Sequence, residues 1–244
     1  MRDYRFIPST VGLILVAILI PTFVSLGFWQ LDRAQARETL NRLQDERLQE
    51  PPLALGDHDL LDLASVRYRA LILEGHYDAA HQFLVDNQLE DQAAGYHVLV
   101  PFQLKGSNRS ILINRGWIPL GADRNTRPDL GGLPEGLVTI QGRADYLYRV
   151  GFKLSGAEIP TAGWPSLVQV PEALAISERL GYPVEGFQVL LAPAEVGGYI
   201  RHFKNVRLDA GKNRGYAFQW FLFAVATLLL FIRASFRKLS HQAL

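Results

Sequence analysis

Two apolar blocks bracket the chain. The first, Ile7–Leu26, reads IPSTVGLILVAILIPTFVSL and holds 20 residues without a charge. As a helix it is long enough to cross a hydrocarbon core of roughly 30 Å. Pro8 falls in its first turn, where a missing N–H does no harm. Pro21 lies inside it and predicts a kink. The second block runs from Tyr216 to Ile232, 17 residues, at the short end of the spanning range. Trp29, Tyr216 and Trp220 sit at the block ends that face the central region, where interfacial aromatics belong.

Between the blocks the period changes. Trp29–Glu50 predicts a polar helix continuing the first block, with a sparse stripe of Leu31, Leu40, Leu43 and Leu48. Pro51 and Pro52 end it. Alternation of period two then begins in SVRYRALILEGHY, which places Val66, Tyr68, Ala70 and Ile72 on one face. Further short β-rich runs follow: HQFLVDNQ, AGYHVLVPFQL, RSILINRGWIPL, GLVTIQGR, SLVQV and GFQVLLAP, each bounded by turn residues. One short helix is predicted in PEALAISERLG, from Pro171 to Gly181. Gly121–Gly136 reads as a long surface loop. The pattern predicts a membrane-anchored α+β protein, two transmembrane helices flanking a mainly antiparallel, barrel- or sandwich-like β domain. Its segments are a terminus over 1–6, a helix over 7–29, the β-rich domain over 30–215, a second helix over 216–232 and a basic tail over 233–244.

Charge sets the expected orientation. Arg2 and Arg5 precede the first block, and Arg233, Arg237 and Lys238 follow the second. Both short ends are basic, so both termini are expected in the cytoplasm and the central domain outside it. A cleaved signal peptide is the alternative for the first block, with Ser25-Leu26-Gly27 near a cleavage pattern. The length of the block and the charged helix after it favour an uncleaved anchor. Composition narrows the chemistry. There is no cysteine, and Met1 is the single methionine, which excludes disulfides, Fe–S clusters and thiolate or thioether copper sites. A net charge of +1 without a basic run gives no footprint for nucleic acid.

No catalytic motif appears, so no enzyme is expected. His76 and His81 flank a turn at a spacing that only weakly suggests a metal. His97 reads as structural, and His58 between Asp57 and Asp59 as a solvated loop. Asp86-Asn87 and Asp123-Arg124-Asn125 read as turn chemistry. Three stretches carry more. In GFWQLDRAQAR, Trp29, Arg33 and Arg37 share one helical face, with Gln30 beside Arg33. That face is either an interfacial tryptophan with snorkelling arginines or a cationic face for carboxylates, phosphates or a partner helix. In INRGWIP, the run Asn114-Arg115-Gly116-Trp117 reads as a strand meeting a bulge, with Gly116 allowing close backbone approach. In NRGYAFQWF, Asn213, Tyr216 and Trp220 line one face, and Gly215 and Gln219 follow the same turns. A glutamine inside an apolar helix needs a partner: the other span, a partner helix or a ligand.

Taken together, Trp-Gln-Leu-x-Arg (Trp29 to Arg33), Asn-Arg-Gly-Trp-Ile-Pro (Asn114 to Pro119) and Gly-Tyr-Ala-x-Gln-Trp-Phe (Gly215 to Phe221) resemble the Surfeit locus protein 1 family, assembly factors for cytochrome c oxidase. FLVDNQ…GYHVLVPF resembles the family's region ahead of the central motif. The resemblance covers essentially the whole chain. It implies a non-enzymatic role in maturing the haem-copper subunit, with transient binding of haem a. The implied partners are the oxidase catalytic subunit, other assembly factors and the lipid bilayer. It departs in one place. The family usually carries His two residues before the Gly of Gly-Tyr-Ala, and this chain has Asn213, a poor haem ligand beside imidazole. His202 in YIRHFKNVR would then substitute, or haem is held otherwise, or it is not ligated. The expected site joins Trp29, Gln30, Arg33, Arg37, His202, Tyr216, Gln219 and Trp220 at the outer ends of the two spans. In it, Gln219 and Tyr216 contact the first span or a client, with the Trp29–Arg33 face opposite.

Overall fold

The computed structural model describes residues 4–55, 63–121, 126–148, 151, 153–203 and 207–238, with only the backbone of 4 and 238. His58 with its flanking aspartates and Asp123-Arg124-Asn125 lie outside these residues. The chain forms two compact units, Met1–Leu43 with Val206–Leu244, and Gln44–Asn205.

The first unit is a pair of long helices. Helix α1, Thr10–Gln49, runs unbroken through Pro21 and on into the polar stretch, so 40 residues at 1.5 Å each give about 60 Å. Its N-cap is Ser9, whose hydroxyl accepts from the Gly12 N–H at 3.1 Å. Pro8 therefore lies just before the helix and not in its first turn. Helix α4, Ala210–Ser235, begins six residues ahead of the apolar block, capped by Asp209. The polar entrance is thus itself helical. Both helices are long and apolar enough to cross a bilayer. At their far ends, strand β1 (Tyr4–Phe6) pairs antiparallel with strand β10 (Phe236–Lys238).

The two helices meet through small side chains. Ala210, Ala217 and Ala224 are buried on α4 at seven-residue spacing, and Gly27 and Ala34 on α1. A Cβ on Gly27 would come within 2.5 Å of the Phe221 ring. Small side chains at the seam let the two backbones approach closely. Of the expected leucine stripe, Leu31, Leu40 and Leu48 are exposed and Leu43 is half-buried, while Ala34 on α1 is buried.

The second unit is a closed β-barrel. Its strands are β2 (Leu53–Ala54), β3 (Ala70–Tyr77), β4 (Phe83–Glu90), β5 (Ala93–Leu104), β6 (Ser110–Pro119), β7 (Val138–Tyr146), β8 (Ser166–Val168) and β9 (Val184–Leu191). The order β3-β7-β9-β6-β5 closes on itself through the β3–β5 pairing, with β4 and β8 extending one side and β2 added to β3. Most pairs are antiparallel, and β6–β9, β2–β3 and β4–β8 are parallel. Leu71, Leu73, Phe102, Ile111, Ile113 and Phe187 fill the interior. The opposite face of β4, β5 and β6 presents Val85, Leu99 and Leu112, covered by Ile176 of helix α3 (Ala173–Leu180). Both faces of β6 are therefore buried, which explains its nearly continuous apolar run. Helix α3 ends on Gly181 in the left-handed region, as its sequence predicts.

Two local readings are corrected. Val66 belongs to a one-turn helix, α2 (Leu63–Val66), and the buried face of β3 holds Leu71 and Leu73 in place of Ala70 and Ile72. Tyr68 breaks the alternation with a φ of 68°. Asp86-Asn87 is not a chain reversal but a bulge inside β4. Asn87 there has φ 60° and its N–H donates to Asp86 Oδ1 at 2.7 Å.

Candidate functional site

Two groups of motif residues stand out, one in each unit. In the barrel, the run from Asn114 is a bulge on β6. Leu99 pairs with Asn114 and His97 with Trp117, so Arg115 and Gly116 together oppose the single residue Val98. Gly116 has φ +111°, and a Cβ there would fall 2.5 Å from the Ile200 carbonyl oxygen. Only glycine meets both conditions. The space lets the chain after β9 dock as a short bridge. The Trp117 N–H donates to Ile200 O at 2.7 Å, Ile200 N–H to Trp117 O at 3.2 Å and Tyr199 N–H to Arg115 O at 2.7 Å.

The same bulge turns Arg115 into the interior, where it is 1% exposed. Its guanidinium donates from Nε to Gly197 O at 2.6 Å. Nη1 donates to Gln82 Oε1 at 2.6 Å and Leu130 O at 3.1 Å, and Nη2 to Gly131 O at 2.8 Å. The ring of Tyr199 lies 4.5 Å from its Cζ. Every acceptor is neutral, so burial pushes the Arg115 pKa down. Arg115 thus ties three loops to β6, and the loop it holds walls an open groove of about 560 Å³ lined by Tyr77, Gln82, Leu133 and Trp164. On the other side of the bulge, Asn114 Oδ1 accepts from Gly116 N–H at 3.0 Å and lies 3.3 Å from His97 Nδ1, while Asn114 Nδ2 donates to Gln188. His97 packs against the Tyr148 and Phe203 rings. Its pKa is lowered by burial, which outweighs the bond to Asn114. His81 pairs with Asp78 at 2.7 Å. His202 Nδ1 donates to Glu90 Oε1 at 2.9 Å.

In the helical unit, the polar entrance of α4 is fastened to α1 by a row of contacts. Asn213, 7% exposed, donates from Nδ2 to Gln30 Oε1 at 2.6 Å. Arg37 donates to Asp209 O at 2.7 Å, and Glu38 pairs with Arg214. The Asn41 carboxamide takes both backbone groups of Leu208, accepting its N–H and donating to its C=O at 2.9 Å each. Arg33 lies over the Trp29 ring at 5.2 Å, which realises the shared face. Trp220 stacks on Phe23 with centroids 5.8 Å apart.

The residues expected to share one site are therefore only partly brought together. Gln30 meets Asn213, and Trp29, Arg33, Tyr216 and Gln219 surround that contact at the same end of the pair. Tyr216 and Gln219, however, are exposed and make no hydrogen bond to the first span among the described residues, whereas Ala217 is buried and Trp220 stacks on Phe23. For the Gln219 amide a partner helix or a ligand is the remaining hydrogen-bond partner. Gly215 also points away from α1, with nothing within 4 Å of a Cβ built on it. His202 belongs to the barrel unit and is held by Glu90. Sequence reasoning missed Gln30's partner, Asn41, Gln82 and Gln188. Isolated amides carry no pattern, and their roles emerge only when distant carbonyls converge on them.

Residues 17–225 match the model of the SURF1 family. The chain belongs to the SURF1 family. A SURF1-like protein of Rickettsia bellii (strain RML369-C) is 24% identical over 94% of this chain and 92% of its own. A SURF1-like protein of Drosophila melanogaster is 32% identical over 41% of this chain, and Surfeit locus protein 1 of Mus musculus 29% over 42%. These two matches span only 39% and 38% of the relatives' own lengths. All three SURF1 motif stretches read from the sequence fall within the matched residues.

SURF1 resemblance implies haem, and the donor set can be tested for it. Among the described residues of the helical unit there is no imidazole, thiolate or thioether. The Asn213 amide is engaged by Gln30, and a carboxamide is a poor ligand for haem iron. Among these motif residues the exposed Tyr216 phenol is the one group of a type that ligates haem iron, so ligation by imidazole, thiolate or thioether does not fit here.

Proposed function

We propose that this SURF1-family chain is a non-enzymatic assembly factor for haem-copper cytochrome c oxidase, anchored in a bacterial inner membrane by α1 and α4. It acts on the catalytic subunit at the stage where haem a is placed, by engaging the client polypeptide and not by ligating iron. Both termini lie in the cytoplasm and the barrel in the periplasm, the orientation that the basic ends favour.

The single observation that carries the reading is the Gln30–Asn213 hydrogen bond. It sets two family motifs, from opposite ends of the chain, side by side. Around it stand exposed groups that the fold itself does not use: the Trp29–Arg33 pair, Tyr216 and Gln219. An amide facing outward from an apolar helix is costly in lipid unless another protein satisfies it, and an aromatic with an arginine beside it suits an interface. The client's own membrane helix supplies such a surface.

The test is a reduced-minus-oxidised spectrum of membranes from cells lacking the protein. The haem a band falls and the intact gene restores it. Arg33→Glu and Gln219→Leu each lower the band while the protein stays in the membrane fraction. Normal oxidase levels with both variants would sink the shared-end site, and an unchanged band in the deletion would sink the oxidase role.

A further inference from the structure

The ribbon that ties the two ends of the helix pair together places like charges opposite each other. In the antiparallel register, Arg5 faces Arg237 and Phe6 faces Phe236, and the ribbon is continued by Ile7 N–H donating to Ser235 O at 2.7 Å. Directly opposite side chains lie on the same face of a ribbon, with Cβ atoms about 5 Å apart, and like charges there repel. Among the described residues neither guanidinium meets a carboxylate, and no other contact occupies them. The alternate face carries Phe6 and Phe236, with Tyr4 and Lys238 in register at its end. The Phe6 ring lies 5.5 Å from Phe236 and 6.3 Å from Phe231, and Phe6 and Phe236 are half exposed. So two arginines sit side by side on one face of a ribbon whose other face carries two phenylalanines, at the ends of two apolar helices. An anion between the two forks would relieve their repulsion. Guanidinium pairs match the oxygens of a phosphate in bidentate fashion. Exposed phenylalanines beside them suit acyl chains at headgroup depth.

We propose that the Arg5–Arg237 ribbon is a binding site for the phosphodiester of an anionic phospholipid. The proposal rests on reading α1 and α4 as membrane spans and is independent of the oxidase role. It also gives the short ribbon a purpose, since two three-residue strands are too small to be stable alone. A lipid phosphate held across them fixes the two chain ends to each other.

The test uses the full-length protein in mild detergent with phosphatidylglycerol or phosphatidylcholine added, and native mass spectrometry counts the retained lipids. Phosphatidylglycerol adducts should exceed phosphatidylcholine adducts. Each of Arg5→Gln and Arg237→Gln should weaken that preference by about fivefold, the usual effect of one basic residue at an anionic surface. Arg127→Gln, in the barrel, should leave it unchanged. Equal retention of the two lipids, or full preference in the double variant, overturns the proposal. Displacement of phosphatidylglycerol by millimolar inorganic phosphate also overturns it, by assigning the site to the free anion. Carbonate extraction of the wild-type chain separates the premises. If the protein leaves the membrane pellet, the spanning reading has failed and the lipid site with it.

Discussion

Replacing Arg115 with alanine removes one buried guanidinium and orphans four acceptors: the carbonyls of Leu130, Gly131 and Gly197 and the side-chain oxygen of Gln82. Hydrogen bonds to a charged group contribute about 1.5–3 kcal/mol each. A simple sum overstates the loss, because the groove beside Leu130 and Gly131 is open to water that can reach part of the vacated space. Each acceptor left buried and unsatisfied costs about 1–3 kcal/mol, so with water reaching some of the four the expected loss is about 3–5 kcal/mol. It is a large share of the roughly 5–15 kcal/mol that holds a domain together. Lysine keeps the charge but has a single nitrogen, which cannot reach carbonyls arranged around a planar fork. Arg115→Lys should therefore recover less than half of the loss. The assay is urea unfolding of the full chain in mild detergent, combined with hydrogen exchange over residues 128–133 and 195–200. Exchange in both segments should rise together, since one side chain holds them. A shift of less than about 1 kcal/mol for Arg115→Ala, or rapid exchange in only one segment, would refute the three-loop clamp.

Two further outcomes separate structural from functional roles. Burial holds the His97 pKa below its ordinary value, so the unfolded chain takes up that proton first. Its stabilising contribution is complete above about pH 6.5 and is lost as pH falls through the depressed folded value. His97→Gln should flatten the fall in stability between neutral and mildly acidic pH, and an unaltered slope would place the titration elsewhere. Gly27 and Gly215 should behave oppositely. Gly27→Leu drives a side chain into Phe221 and should cost about 1–3 kcal/mol in detergent unfolding. Gly215→Ala meets nothing and should stabilise α4 by up to about 1 kcal/mol. If Gly215→Ala nonetheless lowers the haem a band, a partner's backbone lies against that face. If it leaves the band intact, Gly215 is no part of the client surface.

The barrel was legible where side chains follow a period. Each predicted β run corresponds to a strand, and α3 lies where Pro171 and Gly181 bracket it. It failed at Val66–Tyr68, where a one-turn helix and a positive φ interrupt an alternation that looks continuous. Periodicity also misled along α1, because leucine in a helix normally marks a buried seam, whereas this helix pair meets at its alanines and glycines. The bulge at Arg115–Gly116 was readable from Gly116 alone. The destination of Arg115 was not, since its acceptors are backbone carbonyls far away in sequence. Gln219 was read as needing a partner. Which partner depends on helix rotation, and that is decided by Ala217 and Trp220 rather than by Gln219.

The motifs share a task that none of them suggests singly: they hold the two ends of the stretch that leads from the barrel to α4. On the barrel side, the bulge at Gly116 opens a slot in which Trp117 exchanges hydrogen bonds with Ile200. On the helical side, Asn41 grips both backbone groups of Leu208, Arg37 holds Asp209 O, and Gln30 meets Asn213. Each grip uses backbone atoms or an amide, so no catalytic chemistry is needed to explain why Asn114, Gly116, Gln30 and Asn213 stand where they do. By subtraction, the motif positions with no structural task are Gly215, Tyr216 and Gln219, together with the exposed side of the Trp29–Arg33 pair. A side chain that the fold does not use, in a helix where it is unfavourable, is accounted for by what it binds. The proposed client is therefore to be sought first on the outward face of α4, one turn beyond Asn213.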